Sequence, residues 1–321
     1  MNTIQPLITI GIPTFNRSAS LKAYTLPSIE NLNYQNYEVI IVDDYSTDET
    51  QQLLSEYQNR LQNLQVLLNP GNKGTPFSRN RILENAKGEI IVFMDDDVSL
   101  FPNCLEEILK VYTQYPEVMF IWGCVYQCHG SHDRNKPTFG SGSLFSIRSI
   151  IADYFQFDTN IRYLKTYVCE EHDFARRVQK GGAKIIKGET VQANHYQAPS
   201  QNRPWRSLGG DFNHLYDQMK RENNSIPMYY YSLFLGVILT IQNLFKKHDS
   251  GKIVNKHHLH EAVIMFKNIL VLIKQKQFLL TVKCFFYAII DIPVRAKVRS
   301  KIELKKSKEF SLLAQSGTTT S

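Results

Sequence analysis

The sequence predicts an α/β protein with a mostly parallel sheet flanked by helices, extended by a C-terminal helical region. Three observations carry this. Short β-rich apolar runs recur at Leu7–Ile12, Val39–Val42, Leu64–Leu68, Ile90–Met94 and Val118–Trp122. Segments with helix-like spacing lie between them. The runs are continuously apolar instead of alternating, as in strands buried on both faces. With 321 residues, 43% hydrophobic and 21% charged, the chain can build a full core.

In chain order, the helical segments are Leu21–Leu32, Thr47–Leu61, Phe77–Ala86 and Cys104–Tyr115. Thr47 or Asp48 is placed to cap the second, and Pro102 stands at the opening of the fourth. Gly130–Gly142 is rich in Gly, Ser, His and Asn and reads as a loop. A helix over Glu170–Lys180 is ended by Gly181-Gly182, and a short strand, Lys184–Ile186, follows. The alternation stops near Trp205, which sets the expected division: a domain over 1–205, a helical extension over 206–310 and a disordered tail over 311–321.

The extension is basic. From Lys246 onward there are 15 Lys/Arg against 5 Asp/Glu, whereas residues 1–245 carry 22 against 25. A slightly acidic body with a basic tail suggests that the tail meets an anionic surface. Asn223–Phe245 has no charged residue over 23 positions, long enough to span a bilayer at roughly 20 residues. Its tyrosines, Ser232, Gln242 and Asn243 make it a poor span, better suited to an interface or to packing. Leu259–Ile273 and Phe278–Ile292 read as a helical hairpin resting on a membrane, with lysines reaching for lipid phosphates and Pro293 ending the second helix. Met1–Pro6 is polar, so no export signal is expected. The five scattered cysteines suit free thiols in a reducing compartment. The expected location is the cytoplasmic face of a membrane, peripherally bound, with no nucleic-acid partner.

The candidate site lies where strands end in acids. Ile90–Met94 runs into Asp95, Asp96 and Asp97, and Val39–Val42 into Asp43 and Asp44. Ligands of parallel α/β sheets bind at the carboxyl ends of the strands. Adjacent carboxylates there need positive charge, and Asp95 with Asp97 can share Mg²⁺ or Mn²⁺, which completes its shell with phosphate oxygens and water. "GIPTFNR" offers Pro13 to stiffen the turn and Phe15 as a flat face for a ring. "NPGNKGTPFSRN" supplies loop amides around Lys73 and Gly74, with Arg79 facing phosphate. Together these describe a nucleoside-diphosphate site, with Asp44 accepting from a base or ribose.

The stretches "ITIGIPTFNR", "YEVIIVDDYSTDET", "NKGTPFSRNRILENAKGEIIVFMDDDV" and "EEHDFARRV" stand in the order and spacing of family 2 glycosyltransferases. The resemblance covers about residues 7–200. It implies a GT-A fold and inverting transfer of a sugar from a nucleotide donor, most often UDP, to a hydroxyl. Pro13 and Phe15 would border the nucleotide, Asp44 contact the base, Asp96 lie near the ribose, and Asp95 and Asp97 form the metal-binding pair. The general base of the family is the second acid of a Glu-Asp pair followed by Arg six residues later. Here Glu171 takes that place and Arg177 the Arg, so the departure is one methylene. His195, in "QANHYQAP", is a candidate for the cation or the diphosphate, as a His in this region is in some relatives; a structural histidine is the alternative. The basic tail points to a glycan or lipid-linked glycan acceptor.

Two rival readings remain. "DDDV" also fits the D-x-D-x-[TV] motif of metal-dependent phosphohydrolases but leaves the other motifs unexplained. An inactive carbohydrate-binding scaffold on the same fold is supported by Glu171 alone. A dehydrogenase is disfavoured because no G-x-G-x-x-G follows the first strand. Zinc at Cys124, Cys128, His129 and His132 is disfavoured because four extended residues span roughly 13 Å, too far for one ion without a turn.

Overall fold

The computed structural model describes residues 5–128, 137–140, 142–163, 168–196, 208–221, 264–270 and 278–316, with isolated positions between 230 and 275. The chain divides into two compact units: 1–159, 170–201 and 306–321 make the first, 160–169 and 202–305 the second.

In the first unit, β1 (Ile8–Thr14), β2 (Tyr37–Asp43), β3 (Leu64–Leu68) and β4 (Ile90–Met94) pair in parallel in the order β3-β2-β1-β4. Between them run α1 (Ser18–Ser20, prolonged by a π turn, Leu21–Thr25, and by Leu26–Glu30), α2 (Thr50–Gln58) and α3 (Thr75–Asn85). Alternate strand residues enter two cores. Ile10, Ile12, Val39, Ile41, Val92 and Met94 pack on one face, and Ile40, Val42, Ile91 and Phe93 on the other. Burial on both faces is why these runs carry no polar alternation.

Beyond β4 the sheet is mixed, which corrects the mostly parallel expectation. β5 (Val98–Leu100), α4 (Cys104–Gln114), β6 (Val118–Gln127), β7 (Pro137–Thr138), β8 (Leu144–Arg148), α5 (Ile150–Tyr154), α6 (Glu170–Lys180) and β9 (Lys184–His195) follow. β8 lies antiparallel between β4 and β6, β9 runs parallel to β6, and β5 pairs antiparallel with β9. Aromatic rings tie this half together: Phe93 stacks on Phe145 at 4.9 Å, and Phe157 on Phe174 of α6 at 4.2 Å. They bring the start of α6 to the end of β4. The strand expected at Lys184–Ile186 continues for 12 residues to His195. Asp48 accepts the Thr50 N–H at 3.0 Å from one residue before Glu49, the N-cap of α2.

In the second unit, α7 (Leu208–Arg221), helical residues 264–270 and α8 (Phe278–Phe286) share a core of Phe212, Tyr216, Met265, Ile269, Cys284 and Ala288. Pro293 does not end the helix. A π turn over Tyr287–Asp291 leads into α9 (Ile292–Ser316), the extra residue relieving the clash of the ring with the preceding turn. The Ile289 carbonyl, which Pro293 cannot bond, accepts the Tyr230 hydroxyl. α9 also runs to Ser316, into the tail expected to be disordered, and Phe310 packs edge-on against Phe155 at 5.3 Å. Most of Asn223–Phe245 lies outside the described residues, as do 259–263 and 271–272 of the first hairpin helix, Trp205, His129 and His132. Among the described residues no helix is long and apolar enough to cross a membrane.

Candidate active site

The site forms at the carboxyl ends of β1, β2 and β4, closed by the end of β9 and the start of α6. Asp95, Asp97 and His195 come together there: one donor atom from each lies within 4.8 Å of the others. His195 is carried to Asp97 by register, since Val98 pairs with His195 and the Tyr196 N–H donates to the Asp97 carbonyl at 2.8 Å. His195 Nε2 sits 3.0 Å from Asp97 Oδ1. That separation is close to the roughly 3 Å between adjacent ligands in an octahedral shell with bonds of about 2.1 Å. Two carboxylates and an imidazole are donors that Mg²⁺ and Mn²⁺ accept, so the residues fit the expected cation.

The charge balance fits it as well. Asp95, Asp96, Asp97, Glu170 and Glu171 crowd one region in which Arg17 and Arg79 are the paired cations. Burial and then the Asp97 charge push Asp96 up to about 7, against the pull of Arg17 and a 2.8 Å hydrogen bond from Thr14 Oγ1. Asp95 is pushed up by burial and Asp97 and drawn back by Arg79; with 32% of its side chain exposed, solvent tempers the shift. A divalent ion would relieve all of these together.

Arg79 differs from its expected place. It is 1% exposed. Nη1 meets Glu170 Oε1 at 3.1 Å, and Nη2 meets Asp95 Oδ1 at 3.2 Å and the Gly142 carbonyl at 3.0 Å. The guanidinium lies over the Phe145 and Phe157 rings. A buried guanidinium needs anions around it, and here Glu170 and Asp95 supply them. It links the metal-side carboxylate to the acidic start of α6.

The loop amides are also turned inward. Asp44 accepts from the Lys73 and Gly74 N–H groups and from Asn69 Nδ2, all at 2.7 Å. Gly74 permits this with φ 88°. Asp44 thus shapes the 69–74 loop, and the base contact expected of it would share a carboxylate already well occupied. Pro13 is buried, while Phe15 keeps 41% of its surface open.

Glu170 and Glu171 open α6, where acids favour the helix dipole. Burial and the neighbouring Glu171 charge push Glu170 up to about 8 despite Arg79. Burial would raise Glu171 too, but the His172 contact at 3.2 Å and Arg79 outweigh it and hold it at about 2. Burial thus favours the neutral form of Glu170, and the His172 contact favours the charged form of Glu171. A Cβ on Gly142 would come within 3.1 Å of the Glu171 carboxyl carbon and 3.2 Å of Arg79 Nη2, so a side chain there would press on both groups. Arg177, six residues on, holds Asp173 at 2.8 Å. Glu170 and Gln127, whose Oε1 stands 2.9 Å from His195 Nδ1, are residues of this region that the sequence reading did not single out. The doubled Glu was the signal for the first; nothing local marked the second. Cys124 is buried and Cys128 half-buried, and neither joins a metal-ligating group among the described residues.

The sequence matches the family profile described as Glycosyl transferase family 2 over residues 9–180, more than half of the chain. The chain belongs to glycosyl transferase family 2. Among similar proteins, the GalNAc(5)-diNAcBac-PP-undecaprenol beta-1,3-glucosyltransferase of Campylobacter jejuni is 31% identical over 106 residues, 33% of this chain and 34% of that protein. The matches cover 34–45% of the length of the leading curated relatives. Among solved structures, a mannosyltransferase from Pyrobaculum calidifontis in complex with GDP-Man and Mn²⁺ superposes with TM-score 0.54 at 16% identity, over 97% of this chain and 88% of that one. S. aureus TarS in complex with UDP gives 0.52 at 16%, over 96% and 90%. At such identities the likeness shows the fold, which in this family 2 chain is GT-A-like.

Proposed function

We propose that this chain is an inverting glycosyltransferase, moving a sugar from a nucleoside-diphosphate donor to a hydroxyl of a glycan or lipid-linked glycan. The observation that carries the reading is the Asp95–Asp97–His195 cluster, joined through Arg79 to the Glu170–Glu171 pair. Glu171, ionised at neutral pH, accepts the proton of the acceptor hydroxyl as its oxygen attacks the anomeric carbon. The new C–O bond forms on the face opposite the diphosphate, and the electrons of the breaking bond leave with the nucleotide. Asp95, Asp97 and His195 would hold a divalent cation, Mn²⁺ or Mg²⁺, which when bound neutralises the departing diphosphate. Arg79 fixes Asp95 and Glu170 at one separation, and Phe15 lies open for the base. Similar structures that hold GDP-Man with Mn²⁺, or UDP, support a nucleotide-sugar donor, with UDP the leading choice. The undecaprenol-linked name of the Campylobacter relative supports a lipid-linked acceptor.

The second unit supports a membrane partner. Val282, Phe286, Ile290, Val294, Val298 and Ile302 recur every fourth residue along α8, the π turn and α9, all exposed. Exposed Lys283, Arg295, Lys297, Lys301 and Lys305 accompany them. An apolar stripe about 30 Å long among cations suits a helix lying in an anionic lipid interface.

The test uses nucleotide-sugar turnover. Asp97→Ala is expected to abolish Mn²⁺-dependent transfer with the fold intact by circular dichroism. Glu171→Gln is expected to keep donor binding and lose transfer by at least 10²-fold. Unchanged transfer in the first variant removes the metal assignment; in the second it moves the base elsewhere. Phosphate release from a phosphomonoester without sugar transfer would favour the phosphohydrolase.

A further inference from the structure

Gln127 ends β6 and pairs in register with His195, the last residue of β9. Its Oε1 stands 2.9 Å from His195 Nδ1. An amide oxygen only accepts, so Nδ1 must carry a proton, provided the amide is turned this way. Thr138, on the short strand β7, decides that. Its hydroxyl donates to the Val125 carbonyl at 3.2 Å, and its lone pair receives Gln127 Nε2 at 3.3 Å. The chain of donors therefore runs from His195 to Gln127 oxygen, and from Gln127 nitrogen to Thr138 and on to the backbone.

We propose that Gln127, oriented by Thr138, is a positioning residue that holds His195 as the Nδ1–H tautomer and so presents a bare Nε2 to the cation. The inference rests on reading Asp95, Asp97 and His195 as the cation site. A neutral imidazole has one proton, and fixing it on the far nitrogen leaves the near one as a lone pair. That lone pair faces the Asp97 carboxylate at 3.0 Å, a pairing of two electron-rich atoms that needs positive charge between them. Ligating histidines commonly give their other N–H to such an outer acceptor, and loss of that acceptor costs about 10–100-fold in metal affinity. A backbone bond from the Cys128 N–H to the His195 carbonyl, 2.9 Å, keeps the two strand ends together.

The test titrates Mn²⁺ into the full chain and reads free Mn²⁺ by electron paramagnetic resonance, with nitrogen modulation of the bound ion as a spectroscopic signature of the imidazole. In the wild type, modulation is expected and is lost in His195→Asn. Gln127→Leu is expected to weaken Mn²⁺ binding about 10–100-fold and diminish the modulation. Gln127→Glu, which still accepts from Nδ1–H, should retain both. Thr138→Val, on an exposed strand, should shift affinity in the same direction as Gln127→Leu and serves if that variant does not fold. Wild-type affinity and modulation in both Gln127→Leu and Thr138→Val would overturn the proposal while leaving the cation site standing. No difference between wild type and Asp97→Ala would instead remove the cation site itself.

Discussion

Glu170 and Glu171 are chemically identical neighbours, yet burial, their mutual repulsion and the His172 contact to Glu171 push their proton affinities apart. Glu170 binds its proton up to about 8 in the folded chain, whereas an unfolded Glu releases it near 4.3. Between those values the folded state binds more protons than the unfolded one, so its contribution falls as pH rises through the window and is fully present only below it. Glu171, shifted the other way, opposes that slope only at its lower edge, and Asp96, raised to about 7, adds to the decline. In cation-free buffer the melting temperature should therefore decline from pH 5 to pH 8, and Glu170→Gln should flatten the decline; an unchanged slope would contradict the assignment. Asp95 and Asp97 were legible because they directly follow a recognisable apolar run, whereas His195 came only through the family resemblance. Arg79 was not, because its partner Glu170 lies 91 residues away and burial, not sequence, turns it from a ligand contact into a strut.

At the scale of elements, β3, β4 and α6 fall where apolar runs and glycine stops put them, and the other early elements differ by a few residues at their ends. Within the sheet, the losses lie beyond β4. β8 is five residues preceded by glycines and serines, so it reads as a loop until β4 and β6 supply its partners. β9 was cut short because its exposed edge residues and Gly188 break the apolar run, and its pairing with β6 shifts register between Gly123 and Cys124. Packing between β1 and α3 gives a direct check on how Arg79 is placed. A Cβ on Gly11 would lie 2.4 Å from Ile82 Cγ2. Gly11→Val should therefore cost about 1–3 kcal/mol in urea unfolding and lower transfer by displacing α3, with Ile82→Ala restoring part of the loss. Full stability in the single variant would show that α3 yields freely.

For the whole molecule, charge asymmetry and the apolar helical stretches of the tail were visible in the sequence. The continuity of the helix through Pro293 was not, since it depends on a π turn and on a tyrosine more than fifty residues earlier taking the spare carbonyl. The outward stripe has a plain consequence. The chain should sediment with vesicles containing anionic lipid, less so at high salt, and a triple Ile290→Asp, Val294→Asp, Val298→Asp variant should lose most of that binding; equal sedimentation would contradict a lipid-facing role. Both the membrane reading and the transfer chemistry are secondary to the ion proposed for the acidic cluster. Anomalous scattering from crystals grown with Mn²⁺ and UDP locates it most directly. The expected result is a single manganese peak bonded to Asp95, Asp97 and His195. A peak elsewhere, or none in crystals that contain bound UDP, would contradict the account.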